Sequence, residues 1–507
     1  MTAIRPARSH PAPLTEMVAG LGLSGPIDST ALIRDITLDS RDAAPGTLWV
    51  ALPGSRGHGA SHAASAVAAD VTAILTDEAG AALLAGVDVP VLVSGALRRD
   101  MGVVASRVFG HPADRMMTLG VTGTNGKTTT VALLEAALAG AGHTVGTIGT
   151  IGFRLAGQEL PSARGTVTTP ESPDLQALLA VMGERGADAV ALEVSSHAMV
   201  LERATGMVMD VAGFLNLGRD HLDFHGDMDS YFEAKARLFT AAHTRAAVCW
   251  VDDPHGSRIA ERARLSGLPV TTVGTGDDVD FRLSGWEPVD PLGGRAVISH
   301  DGRDLGITIS MPGLHNMVDA LMALAMAHTV GVPPEVAVEG LRFAQVPGRM
   351  QLLDLPHGAP TVVVDFAHTP QAVAASLDAL ASSFSNVITV LGCGGDRDRE
   401  KRPLMGRAAA ERSDLLVVTD DNPRTEDAAS IRRAMLEGAC DARADVVEVP
   451  GRKFAIEHAL AAASAGSVVA ILGKGHERGQ QIGHEVLEFD DAVEARRAWG
   501  RNLEGHP

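Results

Sequence analysis

The chain has 507 residues, 45 % of them apolar, which suits about three domains with cores of ordinary size. Lys and Arg total 43 against 62 Asp and Glu, and the net charge of −19 argues against nucleic acid or an anionic membrane as a partner. Aromatics are scarce, with one Tyr and four Trp, so an aromatic stacking platform would have to be built from very few rings, and the distant Cys249, Cys393 and Cys440 fit a reducing compartment rather than a disulfide scaffold. The N-terminus lacks the apolar core of a signal segment, and no run approaches the ~18–20 apolar residues of a membrane span. A soluble, cytoplasmic protein is expected.

Between residues 30 and 110, apolar runs at 36–38, 48–52, 71–75 and 89–93 alternate with alanine-rich helical stretches, predicting a small α/β unit. His111-Pro112-Ala113-Asp114 breaks the pattern and sets the first boundary, giving expected domains of 1–113, 114–344 and 345–507. Leu-Gly-Val-Thr-Gly-Thr-Asn-Gly-Lys-Thr-Thr-Thr at 119–130 then joins a hydrophobic stretch to a helix-like run at 131–138. Strand, glycine loop and helix in that order wrap a nucleotide triphosphate: Gly123 and Gly126 let backbone N–H groups turn onto phosphates at a helix N-terminus. Thr124 and Asn125 complete the loop, Lys127 reaches the β- and γ-phosphates, Thr128 presents a hydroxyl to Mg²⁺ and Thr129 follows. Val121 stands where the strict pattern has its first glycine. ATP or a close relative is the expected ligand.

Strand-like runs at 144–148, 189–194, 211–217, 246–251 and 270–273 alternate with helical segments and read as a largely parallel sheet. Residues 281–309 alternate apolar and polar, with turn signals at Gly293-Gly294 and Asp301-Gly302, predicting an antiparallel patch before a helix at 316–330. After a hinge-like Pro347-Gly348, strands are expected at 361–366, 387–391, 415–419, 446–449, 468–472 and 485–489. The first five alternate with helices as in a doubly wound sheet.

Polar clusters fall at the ends of these strands, where open α/β sheets place ligands. Glu193 and His221, read as coming from adjacent strand ends beside the phosphate loop, have the chemistry of Mg²⁺ ligands; strand-end capping and loop hydrogen bonding explain them equally. Lys235 lies three residues after Phe232 and four before Phe239, on an apolar face. A buried ammonium costs several kcal/mol unless paired or neutralised, although structural lysines ordinarily snorkel outward. In the last domain, turns beginning at Asp365, Gly392, Asp420 and Gly473 converge on one sheet edge and make a site. Gly392 to Gly395 is not a dinucleotide fingerprint, because Arg397 interrupts it, and NAD is discounted.

In order, GVTGTNGKTTT, EVSSH, NLGRDHLDFHG, EAKARLF, VPGRM, DFAHTP, GCGGDRD, DNPR and GKGHE resemble the Mur ligase family across essentially the whole chain, and within it the UDP-N-acetylmuramoyl-tripeptide synthetases. The resemblance implies a UDP-binding N-terminal domain, a central ATPase and a mobile Rossmann-like C-terminal domain. It implies ATP- and Mg²⁺-dependent amide formation through an acyl phosphate on UDP-MurNAc-L-Ala-D-Glu, with small-molecule substrates and a monomeric enzyme. By position, Lys127, Glu193, His221 and Lys235 resemble the catalytic residues. Thr128, Glu193, His221 and Lys235 (as a carbamate) resemble the metal ligands, and Asn316, Arg349 and Asp365 nucleotide contacts. Leu38, Ser40, Ser55, Arg56 and Gly57 resemble uridine-binding segments; Thr168, Thr169, Ser195 and Arg203 resemble contacts to the sugar–peptide. Two departures are Leu201, where some members have Gln, and Asp319, where Asn is common.

Arg397, Asp421, Asn422, Pro423, Arg424, Gly473 and Glu477 resemble the pocket for the incoming amino acid. The Asp-Asn-Pro-Arg form resembles enzymes that add meso-diaminopimelate, whose second carboxylate a guanidinium grips bidentately. Addition of L-lysine or L-ornithine is the alternative. A folate polyglutamate-type enzyme is disfavoured by Thr-Leu-Asp-Ser-Arg near the N-terminus, and a non-catalytic descendant by the presence of Lys127, Glu193, His221 and Lys235 together.

Overall fold

The computed structural model describes residues 4–8, 10–27, 30–54, 57–161, 167–289, 292–356, 358–464 and 466–504. Three mainly parallel sheets follow one another along the chain, making the protein α/β throughout. In the first, Asp35–Thr37, Thr47–Ala51, Ala73–Thr76 and Val91–Val93 lie side by side in chain order. Thr47–Ala51 and Ala73–Thr76 are buried at every position, as a parallel sheet covered on both faces requires. Helix Leu97–Val108 packs Met101, Val104 and Ala105 into the core on one side, and Trp49, Ile74 and Leu84 fill the other.

The central sheet has eleven strands among the described residues, with the phosphate-loop strand Met117–Thr122 near its middle. Ala189–Glu193 pairs with one edge of that strand and Val211–Phe214 with the other. This corrects the expectation that Glu193 and His221 follow neighbouring strands. Ala189–Glu193 is already paired on both edges, by Met117–Thr122 and Val145–Gly149, so the next strand can join only at the free edge of the phosphate-loop strand. The two polar clusters consequently straddle the loop. Ala247–Trp250, Val270–Gly274 and Phe281–Val289 continue the parallel order, and Gly293–His300 and Arg303–Ile309 add antiparallel strands. Gly293 and Gly294 are strand residues paired with Val289 and Pro288, not the expected turn. Close approach explains the glycine: a Cβ at Gly293 would stand 2.7 Å from the Ile309 carbonyl oxygen. Within helix Leu314–Thr329 the stretch from Ala320 to Ala327 is apolar around its whole circumference, because it is buried on all sides.

The third sheet orders Gln351–Leu352, Thr361–Asp365, Ser467–Leu472, Asn386–Cys393, Leu415–Asp420 and Asp445–Glu448, parallel except at the first. The strand of this sheet that comes last in the chain, Ser467–Leu472, separates the first two long ones, a switch point that opens a crevice at the strand C-termini. Glu485–Glu488 joins no such sheet and pairs with Gly479–Ile482 as a separate hairpin. Helix Asp491–Glu504 is anchored by Arg452, whose Nε and Nη2 donate to the Asp491 carboxylate at 2.7 Å while Nη2 also donates to the Leu472 carbonyl. Both side chains are fully buried. Arg452→Met leaves Asp491 a buried, unpaired charge and is expected to cost about 3–5 kcal/mol, read as a lower denaturation midpoint in urea. No helix among the described residues is long and apolar enough to cross a membrane.

Candidate active site

The loop from Gly123 to Gly126 turns between strand Met117–Thr122 and helix Lys127–Gly140. Asn216, beyond the neighbouring strand, clamps it: Asn125 N–H donates to Asn216 Oδ1 at 2.9 Å, and Asn216 Nδ2 donates to the Asn125 carbonyl at 3.2 Å. Thr124 adds bonds to Gly218 and to the Tyr231 hydroxyl. Gly126 has φ +89°, and a Cβ there would meet Asp319 Oδ1 at 2.4 Å. Gly126→Ala therefore carries about 1–2 kcal/mol of backbone strain besides the clash, and a rise of about tenfold or more in KM for ATP is expected in phosphate-release assays. Burial pushes the Asp319 carboxyl well above the usual range. A neutral carboxyl offers one donor and one acceptor as an amide does, which makes sense of Asp where Asn is common.

Cations and carboxylates alternate around this loop. Lys127 Nζ folds back to donate to the Gly123 and Thr124 carbonyls at 2.9 Å. Lys235, 1 % exposed, donates to the Gly123 carbonyl at 2.8 Å and lies over the Tyr231 ring. It points inward, not outward to solvent. Burial, and secondarily Lys127, drives its amine well below the ordinary lysine range. Glu193 receives the Thr128 hydroxyl at 2.9 Å and both the N–H and hydroxyl of Thr150. Arg349 donates to the same Thr128 hydroxyl at 3.0 Å, and burial lowers its pKa. His221 sits at φ +53° with Nε2 3.3 Å from Asp220, and burial holds its imidazole below the ordinary range. Asp365 accepts from Met350 N–H, Ala367 N–H and the Ser376 hydroxyl, and Asn316 donates to the Pro312 carbonyl.

These groups line a cavity of about 1000 Å³ between the central and third sheets, which also admits Thr168 and Ser195. Thr169 stands behind, bonded to the Glu193 carbonyl and to Ser195 N–H. Arg203 reaches the Thr169 carbonyl and Glu171, which also holds Arg98 from helix Leu97–Val108 beside the first sheet. Arg98 donates to the Leu201 carbonyl as well. A second cavity, about 210 Å³, is lined by Arg397, Asp421, Asn422, Arg424, Gly473 and Glu477. Pro423 lies in the same turn, its carbonyl 2.0 Å from where a Cβ on Gly395 would stand. The two cavities share Asp220, His221, Phe366 and His368. Leu38, Ser40 and Gly57 lie apart from both, on the first sheet's loops; Ser55 and Arg56 fall outside the described residues.

Sequence reasoning placed Asn216, Asp220 and Lys474 in strand-end clusters but gave them no individual role, and it missed Thr150. Lys474 is fully buried and donates to Asn422 Oδ1 at 3.0 Å and Glu477 Oε2 at 3.1 Å. A lysine between two glycines at a strand end was the available signal. Arg219, beyond the central-sheet strand Val211–Phe214, pairs with Asp398, beyond the third-sheet strand Asn386–Cys393, at 3.3 Å, and with Glu400.

Residues 121–327 match the Mur ligase middle domain and 348–475 the Mur ligase, glutamate ligase domain. The UDP-N-acetylmuramoyl-L-alanyl-D-glutamate–2,6-diaminopimelate ligase of Streptomyces coelicolor is 42 % identical over 502 residues, covering 97 % of each chain. A solved structure of a ligase with that same name is 29 % identical, with TM-score 0.69 over 98 % of this chain and 100 % of that one. A MurF structure from Acinetobacter baumannii, 19 % identical with TM-score 0.67, covers 98 % of this chain and all of its own, and shares the fold. Fold and site define an ATP-dependent acid–amino-acid ligase. The chain belongs to the Mur ligase family.

Proposed function

We propose that this enzyme joins meso-2,6-diaminopimelate to UDP-N-acetylmuramoyl-L-alanyl-D-glutamate with cleavage of ATP to ADP and phosphate, a step of peptidoglycan synthesis. Residues 1–113 hold the uridine end, 114–344 the nucleotide and 345–507 the amino acid. One observation carries this reading: the larger cavity, with the phosphate loop, and the smaller one, with two arginines, meet at Asp220, His221, Phe366 and His368. An activated carboxyl formed in the first is within reach of an amine held in the second.

The dipeptide's terminal carboxylate attacks the γ-phosphorus, and the bond from phosphorus to the β,γ-bridging oxygen breaks to release ADP. The amine, having lost one proton, then attacks the acyl carbon. Phosphate leaves with the second proton. Lys127 and Arg349 offset the charge of two anions brought together, and the desolvated setting makes that attraction stronger than in water. Thr128, Glu193, His221 and a carbamate on Lys235 would hold Mg²⁺; their mostly oxygen donors suit a hard cation. When bound, it supplies further neutralisation of phosphate charge. Arg397 and Arg424 grip the distal carboxylate, and Glu477 the distal ammonium. The enzyme works as a cytoplasmic monomer.

A phosphate-release assay comparing diaminopimelate, L-lysine and L-ornithine tests this. Rapid phosphate release is expected only with ATP, the UDP-dipeptide and diaminopimelate together, with lysine and ornithine giving a slow residual rate. Efficient turnover of lysine would overturn the specificity, and no ATP consumption with all reactants present would overturn the reaction.

A further inference from the structure

Arg424 is not a glycine, yet its backbone has φ +51°. Left-handed geometry is disfavoured for side chains other than glycine and persists where surrounding bonds over-determine it. Those bonds come from the hairpin Gly479–Ile482/Glu485–Glu488. Arg424 N–H donates to the Gln481 carbonyl at 3.1 Å, the Arg424 carbonyl accepts from Gly483 N–H at 2.7 Å, and Arg424 bridges Ile482 in parallel register. The same strand reaches the preceding residues: Gln481 N–H donates to Asn422 Oδ1 at 2.9 Å, and Gln480 Nε2 donates to the Asp421 carbonyl at 2.7 Å. Gln480 is 8 % exposed. Its partner strand Glu485–Glu488 is exposed throughout, so the hairpin contributes little to a core.

We propose that this hairpin is the specificity clamp of the amino-acid site, with Gln480 as a positioning residue that fixes where the Arg424 guanidinium points. The inference rests on the reading of that site given above and extends it to residues that touch no substrate. Arg424 Nη1 donates to the Gly395 carbonyl at 2.6 Å, which places the guanidinium over the glycine loop beside Arg397. Its aim is inherited from the backbone torsion, and the torsion from the hairpin. Should the Asp421–Arg424 segment relax to ordinary φ, the guanidinium swings off the position where a second carboxylate lies. Lysine has no such group and is insensitive to that swing. Loss of the Gln480 bond therefore acts on discrimination, not on the chemistry.

Gln480→Leu removes the amide, and Gln480→Asn shortens it out of reach while keeping its polarity; the Asn variant decides the matter if the Leu variant does not fold. Phosphate release is measured with diaminopimelate and with L-lysine at saturating ATP and UDP-dipeptide, alongside a thermal midpoint. The expected result is a fall on the order of tenfold in kcat/KM for diaminopimelate, mostly in KM, with the lysine value and KM for ATP unchanged. An equal proportional loss for both amino acids would reveal a general structural role and overturn the clamp, as would an unchanged ratio. Wild-type enzyme that fails to discriminate would overturn the preceding reading and the clamp together; a discriminating wild type with equally discriminating variants overturns the clamp alone.

Discussion

Lys235→Ala is expected to lower kcat by about a hundredfold or more, with partial recovery when formate or acetate is added. The side chain is buried and lies over the Tyr231 ring, and among the described residues it donates only to the Gly123 carbonyl and no ion pair reaches it. Burial and the like charge of Lys127 favour the neutral amine. A neutral amine adds to carbon dioxide, forming an N–C bond and losing a proton, and the resulting carbamate is an anion beside Lys127. On the reading proposed above, that conversion would replace a buried amine with an anionic oxygen donor in the cavity that Thr128 and Glu193 also line. A small carboxylate fits the space left by the truncated side chain and returns part of the missing charge. Lys235→Arg keeps a cation but cannot be carboxylated, and is expected to stay inactive. With ¹³C-bicarbonate, the wild type should give a carbamate carbon signal that both variants lack. Wild-type rates in the alanine variant would remove Lys235 from the mechanism.

Runs of buried residues fixed the elements, and strands such as Ala189–Glu193 and Ser467–Leu472 differ from their expected limits by a residue or two. Neighbourhood was harder to read. That Met117–Thr122 lies between Ala189–Glu193 and Val211–Phe214 is set by pairing between strands far apart in the chain, and no local pattern encodes that. The supporting residues were hidden for a related reason. Asn216 bonds to Asn125, 91 positions away, and Gln480 to the backbone of Asp421, 59 away. A side chain serving a distant carbonyl leaves no periodicity and no motif of its own. Glycines misled once: at Gly293 the missing side chain serves close strand packing, whereas at Gly126 it serves a positive φ.

Arg424→Ala is expected to lower kcat/KM for diaminopimelate by about thirtyfold to a few thousandfold while leaving lysine turnover at or above its wild-type value. The range follows from the ~2–5 kcal/mol lost when one partner of a buried, hydrogen-bonded charge pair is truncated, at about tenfold per 1.4 kcal/mol. The discrimination of the intact enzyme has the same origin: lysine leaves the guanidinium facing a desolvated cavity without its carboxylate. Arg424→Lys should recover little of the loss. An ammonium keeps the charge but lacks the planar fork that grips a carboxylate with two parallel bonds, and it cannot reach both the Gly395 carbonyl and the ligand. Kinetics with diaminopimelate and lysine on the same preparations check this. Equal losses for both amino acids would show that Arg424 acts by holding the turn, since a residue that recognises only the second carboxylate has nothing to withdraw from a substrate without one.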